Sequence, residues 1–398
     1  MNILEQLKQR GLVKQVVFEE ELKQELDNGM VSFYCGFDPT ADSLTIGHFL
    51  PILMAKRLQL AGHKPYIIVG GATAKIGDPT GRTDMRKMLT EEQLAHNVSC
   101  IRKQLERYIS FEGENGAVLL DNSEWLDKVN YIDFIREIGA CLSVNRMLTA
   151  ECFKQRLEKG LSFLEFNYMP MQAYDFYYLC KNHNVILEVG GDDQWSNMLA
   201  GADLIRRKLS KTAYSFTVPL LLKSDGTKMG KTAGGALWID ENKTPAYDLF
   251  QYFRNVEDVK VEECFNFLTL LDQKRIKEIM CGDINKAKEI LAYEIVKIVR
   301  GEEQANSALN QAKASFGGNQ EDMPVTQVSK ENVSVIDLIV TLKIASSKSE
   351  ARRLIEGGAV KINDRAVANV QDVLTAEEQA SGFIIHKGKK VHIKVELV

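Results

Sequence analysis

Between Val31 and Leu60 the sequence reads VSFYCGFDPTADSLTIGHFLPILMAKRLQL, and this stretch leaves little choice of local structure. Val31 to Phe37 is β-branched and aromatic, the composition of a buried strand, and Asp38-Pro39-Thr40 favours a turn. Beyond it, Ile46, Phe49, Leu50, Leu53 and Met54 recur with the spacing of an amphipathic helix. A strand that enters a helix through a short polar turn aims backbone N–H groups and the positive helix end at whatever lies above the strand. Gly47 leaves that backbone open to a flat ligand, His48 adds a polar side chain, and Pro51 removes one helical donor and predicts a bend. By pattern alone, the stretch also suits any α/β protein, with His48 a surface histidine.

Further runs extend the pattern. Tyr66–Gly70, Ala117–Leu120 and Val185–Val189 read as buried strands separated by helical stretches, which predicts a Rossmann-like α/β domain with a parallel, helix-covered sheet. Such sheets bind ligands at the carboxyl ends of their strands. Two of the runs lead there into Gly70-Gly71-Ala72-Thr73 and Gly190-Gly191-Asp192-Asp193-Gln194-Trp195, neither of which is the G-x-G-x-x-G dinucleotide fingerprint. From about Pro245 to Ser315 only charged amphipathic helices are expected, an α-helical domain, followed by a turn-rich linker. The last segment is a small α+β domain with ten Lys and Arg against eight Asp and Glu, a net +2 in a chain of −4. The expected divisions are 1–222, 223–318, 319–332 and 333–398.

Seven cysteines without a C-x-x-C pair, and six histidines without ligand spacing, predict neither a disulfide framework nor a structural metal. Neither a secretory core nor a membrane-spanning apolar run is present, so a cytoplasmic protein with no membrane partner is expected.

Three further stretches carry chemistry. Tyr168, Gln172 and Asp175 fall at i, i+4 and i+7, one face of a helix, which is either a core face with incidental polar groups or the wall of a pocket for a small polar ligand. Gly77-Asp78-Pro79-Thr80-Gly81-Arg82, leading to Arg86 and Lys87, is a turn followed by cations. Leu222 to Thr232 nearly matches a P-loop, but Gly226 and Gly230 enclose only three residues where four are needed.

Thr45-Ile46-Gly47-His48 resembles the HIGH signature of class I aminoacyl-tRNA synthetases, with Thr45 where the first histidine stands. Lys228-Met229-Gly230-Lys231-Thr232 resembles their KMSKS signature, at about the family's separation. Tyr34-Cys35-Gly36-Phe37-Asp38-Pro39-Thr40 resembles the bacterial tyrosyl enzymes in particular, and Lys348 to Asn363 resembles the S4 RNA-binding fold.

The resemblance implies a homodimeric tyrosine–tRNA ligase that activates L-tyrosine with magnesium-ATP and passes the tyrosyl group to tRNA(Tyr). It implies catalytic roles for Thr40, Thr45, His48, Arg82, Arg86, Lys228 and Lys231. For tyrosine it implies Tyr34 and Asp175 at the phenol, Asp78, Tyr168 and Gln172 at the amino group, and Gln194 at the carboxyl. For ATP it implies Cys35, Gly36, Asp38, Gly47, His48, Gly191, Asp193, Lys228 and Lys231. Lys348, Arg352, Arg353 and Lys361, with Lys343, would meet RNA phosphates. Two other readings stay open: a tryptophanyl-type enzyme, which Tyr34 with Asp175 disfavours, and an RNA-binding protein without activation chemistry, hinted at by Thr45 and Pro51.

Overall fold

The computed structural model describes residues 2–80, 89–232, 235–317, 325–329, 334–342, 344–345, 347–363, 365–388 and 391–397. Arg82, Arg86, Lys87 and Lys343 lie outside the described residues, as does the side chain of Lys231. The chain forms two compact units, one of Met1–Gly230, Leu237–Pro245 and Asn255–Leu291, the other of Lys231–Ala236, Ala246–Arg254 and Ala292–Val398.

The first unit is built on five strands: β1 (Ser32–Phe37), β2 (Lys64–Val69), β3 (Val118–Asp121), β4 (Leu187–Gly191) and β5 (Tyr214–Val218). All neighbours pair in parallel, in the order β3-β2-β1-β4-β5. Successive strands run outward from β1 to β3 and then restart on the other side at β4, so the order reverses between β1 and β4. A reversal of this kind opens a crevice at the carboxyl ends of the two strands. Register places Tyr66, Tyr34, Glu188 and Ser215 in one row across β2, β1, β4 and β5.

Helix α1 (Ile46–Leu60) links β1 to β2 and buries ten of its residues. It runs through Pro51 without interruption, so the lost donor leaves the Gly47 carbonyl without a partner in the helix and does not end it. Its far end is held by Arg57, whose guanidinium donates to the carbonyls of Asn266 (3.2 Å) and Thr269. Helices α2 (Tyr168–His183) and α3 (Trp195–Leu209) share a core with Tyr34, Tyr66 and Ile68 of the sheet. The two glycines after Val189 belong to the strand, not to the loop beyond it: Gly190 and Gly191 pair with Thr217 and Val218, and the loop shrinks to a single turn, Asp192–Gln194.

Beyond the sheet come helices Ala246–Arg254, Val261–Leu268, Gln273–Met280, Ile284–Arg300 and Glu302–Gly317. A short hairpin, β6 (Lys231–Thr232) and β7 (Gly235–Ala236), lies in the second unit. The tail holds a second five-stranded sheet of β8 (Val325–Val328), β9 (Val360–Ile362), β10 (Arg365–Ala366), β11 (Phe383–Lys387) and β12 (Val391–Leu397), in the order β10-β9-β11-β12-β8. Helix α4 (Lys348–Glu356) precedes β9 through Gly358, which takes a positive φ of 65°. Part of the stretch expected as linker is strand: β8 pairs in parallel with β12, a contact that four residues could not announce locally.

Candidate active site

The crevice between β1 and β4 is where the polar residues collect. Gly36 is the exposed residue of an otherwise largely buried β1, so its backbone opens to the crevice. The side chain of Tyr34 lies along the strand over it: a Cβ at Gly36 would stand 2.9 Å from the phenol oxygen. Burial, followed by the charges of Asp175 and Glu188, pushes the Tyr34 phenol well above its ordinary range, so it is a neutral donor. Cys35 beside it is buried, and its thiol is pushed up to about 12.

Asp175 projects from α2 and is 1% exposed. Both its oxygens are taken: Asn122 Nδ2 donates to Oδ2 (2.9 Å) and Trp125 Nε1 donates to Oδ1 (2.7 Å). Burial raises its pKa to about 7 against the opposing pull of those two donors, so the free site holds a carboxyl poised between its two states. Asn122 also accepts from the Ala72 backbone (2.8 Å) and donates to Thr73 Oγ1 (3.0 Å), tying β3's exit to β2's. Neither Asn122 nor Trp125 was expected from sequence. The available signal was their place just after β3, at the same carboxyl edge as the crevice.

A second group of bonds forms the crevice's other wall. Asp38, where β1 ends, accepts from Thr73 Oγ1 and from the Tyr168 hydroxyl, each at 2.8 Å. Gly70 makes room for it, since a Cβ there would collide with the Asp38 carboxylate and the Thr73 hydroxyl. Asp78 accepts from the Thr80 backbone (2.9 Å) and from Gln194 Nε2 (2.6 Å). Gln194 is fixed in turn by Asn197 Nδ2, which donates to its Oε1 at 3.0 Å. Gln172 Nε2 donates to Glu188 Oε1 at 3.1 Å. The expected pair Tyr168 and Gln172 is thus held by two different carboxyls, one at the end of β1 and one within β4. Asp192 faces away from this chemistry, accepting from Gln15 Nε2 (2.7 Å) and Thr217 Oγ1 (2.8 Å), a bond set that fixes the amino-terminal segment to β5.

The two signature-like stretches also meet. At the start of α1, the Thr45 backbone N–H donates to His48 Nδ1 at 3.1 Å. Because Nδ1 accepts, a neutral His48 carries its proton on Nε2, leaving Nε2–H as the ring's donor. A Cβ at Gly47 would meet only Thr45 Oγ1, at 3.5 Å, so space lies open above the helix end. Ile46 N–H donates to Leu237 O (2.9 Å), and Leu237 N–H donates to Gly230 O (2.7 Å). Gly230 lies so close to Ile46 that a Cβ there would collide with it. Lys228 Nζ approaches Asp193 Oδ2 at 3.3 Å, with half of the lysine side chain exposed. Thr40 closes the turn after β1 by donating its N–H to Asp38 O (2.9 Å), and Gly191 ends β4. In the tail, Lys348, Arg352, Arg353 and Lys361 are all exposed, and Lys348 pairs with Asp337 at 2.6 Å.

Comparison with known proteins bears on the family and the fold. The model of the tRNA synthetases class I (W and Y) matches residues 26–317, and that of the tyrosine–tRNA ligase SYY-like C-terminal domain matches 316–395. The tyrosine–tRNA ligase 1 of Clostridium acetobutylicum is 50% identical, over 99% of each chain. The tyrosine–tRNA ligase of Clostridium botulinum strain Loch Maree is 52% identical, over 98% of each. Among solved structures, the C-terminally truncated mitochondrial tyrosyl-tRNA synthetase of Coccidioides posadasii is 31% identical with a TM-score of 0.68, covering 78% of this chain and 91% of that one. An Aspergillus nidulans counterpart, also truncated, has a TM-score of 0.71 at 29% identity, covering 79% and 94%. Relatives that match end to end at half identity, and a family model that spans the sheet and the helices after it, place the chain in the tyrosyl-tRNA synthetase family of class I tRNA synthetases.

Proposed function

We propose that the chain activates L-tyrosine with ATP and charges tRNA(Tyr), using the crevice between β1 and β4. The carrying observation is the buried pair of Tyr34 and Asp175, backed by Asn122 and Trp125, beneath a rim of Asp78, Tyr168, Gln172 and Gln194. A phenol suits the buried end, and an amino acid's ammonium suits the acidic rim. An indole lacks a hydroxyl to place between Tyr34 and Asp175, which disfavours the tryptophanyl reading.

In the reaction, the tyrosine carboxylate forms a bond to the α-phosphorus of magnesium-ATP as the bond to pyrophosphate breaks. The terminal adenosine hydroxyl of the tRNA then takes the tyrosyl group and AMP leaves. No bond to the protein is needed, so catalysis falls to groups that hold phosphoryl charge more tightly in the transition state. His48 Nε2–H, the start of α1, and the hydroxyls of Thr40 and Thr45 suit that work, together with Lys228, Lys231, Arg82 and Arg86. Asp38, Cys35, Gly36, Gly47, Gly191 and Asp193 would line the nucleotide, and Gln194 the carboxyl. Arg352, Arg353, Lys348 and Lys361 would engage tRNA.

Exchange of label between pyrophosphate and ATP, run with each of the twenty amino acids, tests the function. Tyrosine alone should drive it, and a preference for another amino acid refutes the reading. Lys228→Ala should slow tyrosyl-adenylate formation by about 2.7–4 kcal/mol of barrier, by analogy with a lost donor at a developing anion, with tyrosine affinity nearly unchanged. Unaltered pre-steady-state activation would remove Lys228 from the phosphate site.

The protein would act in the cytoplasm as a homodimer; among the described residues no helix is long and apolar enough to cross a membrane. Residues 131–163 support the dimer: Tyr131, Ile132, Ile135, Val144, Leu157 and Phe163 are all exposed there, and Phe163 is 69% so. The helical turn bearing Phe163 is tied down by buried Glu165, which binds Arg156 at 2.8 Å and forms a capping box with Ser162. Phe163→Asp should convert the dimer to monomer in sedimentation velocity; an unchanged sedimentation coefficient would place the interface elsewhere.

A further inference from the structure

Glu188 lies on β4, inside the sheet, in the row between Tyr34 of β1 and Ser215 of β5, and is 3% exposed. Its surroundings leave it little freedom. A Cβ at Gly201 on α3 would stand 3.5 Å from Glu188 Oε2 and 3.0 Å from Phe176 of α2, so the carboxyl is roofed where the two helices cross. Among the described residues the Glu188 side chain has one hydrogen bond, the 3.1 Å contact with Gln172 Nε2, and Gln172 Oε1, like Glu188 Oε2, is buried without a partner there. A buried amide oxygen left unbonded is costly unless something is meant to meet it. An amide offers hydrogen at one end and lone pairs at the other, so an acceptor placed at one end dictates which end is presented on the opposite side.

We propose that Glu188 is the positioning residue that turns the Gln172 amide, so that its oxygen is presented to the ammonium of the bound amino acid. The inference rests on the tyrosine-activation reading and adds to it a residue that touches neither substrate nor the reacting atoms. Without an acceptor at position 188 the amide is no longer held, and its oxygen must be ordered as the ammonium binds. Burial raises the Glu188 carboxyl to about 8 against the opposing pull of the Gln172 amide. Asp175 of α2 and Tyr34 and Cys35 of β1 are the titratable groups that sense it electrostatically, whereas α3 brings Gly201 and β5 brings Ser215.

The test compares two ligands by calorimetry: tyramine, which keeps the ammonium, and 3-(4-hydroxyphenyl)propionate, which lacks it. Glu188→Met, matched in length but without a good acceptor, should weaken tyramine about tenfold, one neutral hydrogen bond's worth, and leave the propionate within about threefold. In tyrosine-dependent pyrophosphate exchange the same variant should raise KM for tyrosine with kcat little changed. Glu188→Gln retains an acceptor oxygen and should restore both ligands to near wild-type affinity. Equal losses for the two ligands in Glu188→Met would mean a merely structural role and overturn the inference. So would a selective loss of tyramine in Glu188→Gln, the arm that remains should the Met variant not fold, because charge and not amide orientation would then be at work. Both results leave the tyrosine reading intact if the wild type performs the exchange. A wild type silent with tyrosine overturns that reading and this inference with it.

Discussion

Asp175→Asn is expected to lower kcat/KM for tyrosine by about 2.5–6 kcal/mol, roughly two to four powers of ten, while kcat/KM for phenylalanine changes far less. The magnitude combines the loss of a charge-assisted bond to the phenol, about 1.5–3 kcal/mol, with about 1–3 kcal/mol for a stranded buried donor. The donor is stranded because both carboxylate oxygens already accept, one from Asn122 and one from Trp125. An asparagine has only one oxygen, so its NH2 must oppose one of these N–H groups or the incoming phenol. Tyr34→Phe removes a neutral partner and should cost only about 0.5–1.5 kcal/mol. If the ratio of tyrosine to phenylalanine is unchanged in Asp175→Asn, the hydroxyl is read elsewhere.

The same carboxyl makes a stability prediction whose sign is fixed. Its folded pKa, about 7, lies above the ordinary value of 3.8 that the unfolded chain retains. The unfolded chain therefore gives up this proton first as pH rises. The stability associated with protonated Asp175 is full below the unfolded pKa and is lost as pH climbs through about 7, with no further loss above it. Asp175→Asn removes that component, so thermal unfolding of the ligand-free variant should differ less between pH 5 and pH 8 than that of the wild type.

Much of this site was legible because its signals are local. The strand, turn and helix around Asp38 obey periodicity and turn chemistry within thirty residues, and the i, i+4, i+7 face of α2 is a property of one helix. What could not be read depends on which strands become neighbours. Asn122 and Trp125 reach Asp175 only because β3 joins the sheet beside β2, and Glu188 reaches Gln172 only because β4 restarts next to β1. The buried setting that raises the Asp175 pKa is made by α2 lying against the sheet, which one helix's pattern does not contain. Asp192, with no readable role in sequence, gains one from Gln15, far away along the chain. β8 was missed for the same reason, since its partner β12 lies at the other end of the tail.

A chain ended near Gln320 is expected to form tyrosyl-adenylate at close to the full-length rate and to charge tRNA(Tyr) poorly or not at all. Every described residue assigned to tyrosine or the nucleotide lies before this cut, and the sheet that positions them is closed by β5 at Val218. The cut also falls ahead of β8, so the tail's second sheet is removed whole and leaves no stranded edge behind. Its core, of residues such as Val335, Leu338, Ile355, Ile362 and Ile385, is a cluster of its own. The two truncated fungal relatives, crystallised without their C-terminal parts, retain the fold over nearly four-fifths of this chain. Charging by the proposed route would instead draw on phosphate contacts, and the tail is the more basic part of the chain, with Arg352, Arg353 and Lys361 exposed. Contacts of that kind weaken with salt, so charging by the full chain should fall steeply as salt is raised while pyrophosphate exchange responds weakly. The measurement is both activities in both chains across a salt series, with circular dichroism to confirm that the shortened chain is folded. Loss of pyrophosphate exchange in a folded truncation would mean that the tail contributes to activation, and undiminished charging would mean that tRNA is held by the sheet and helices alone.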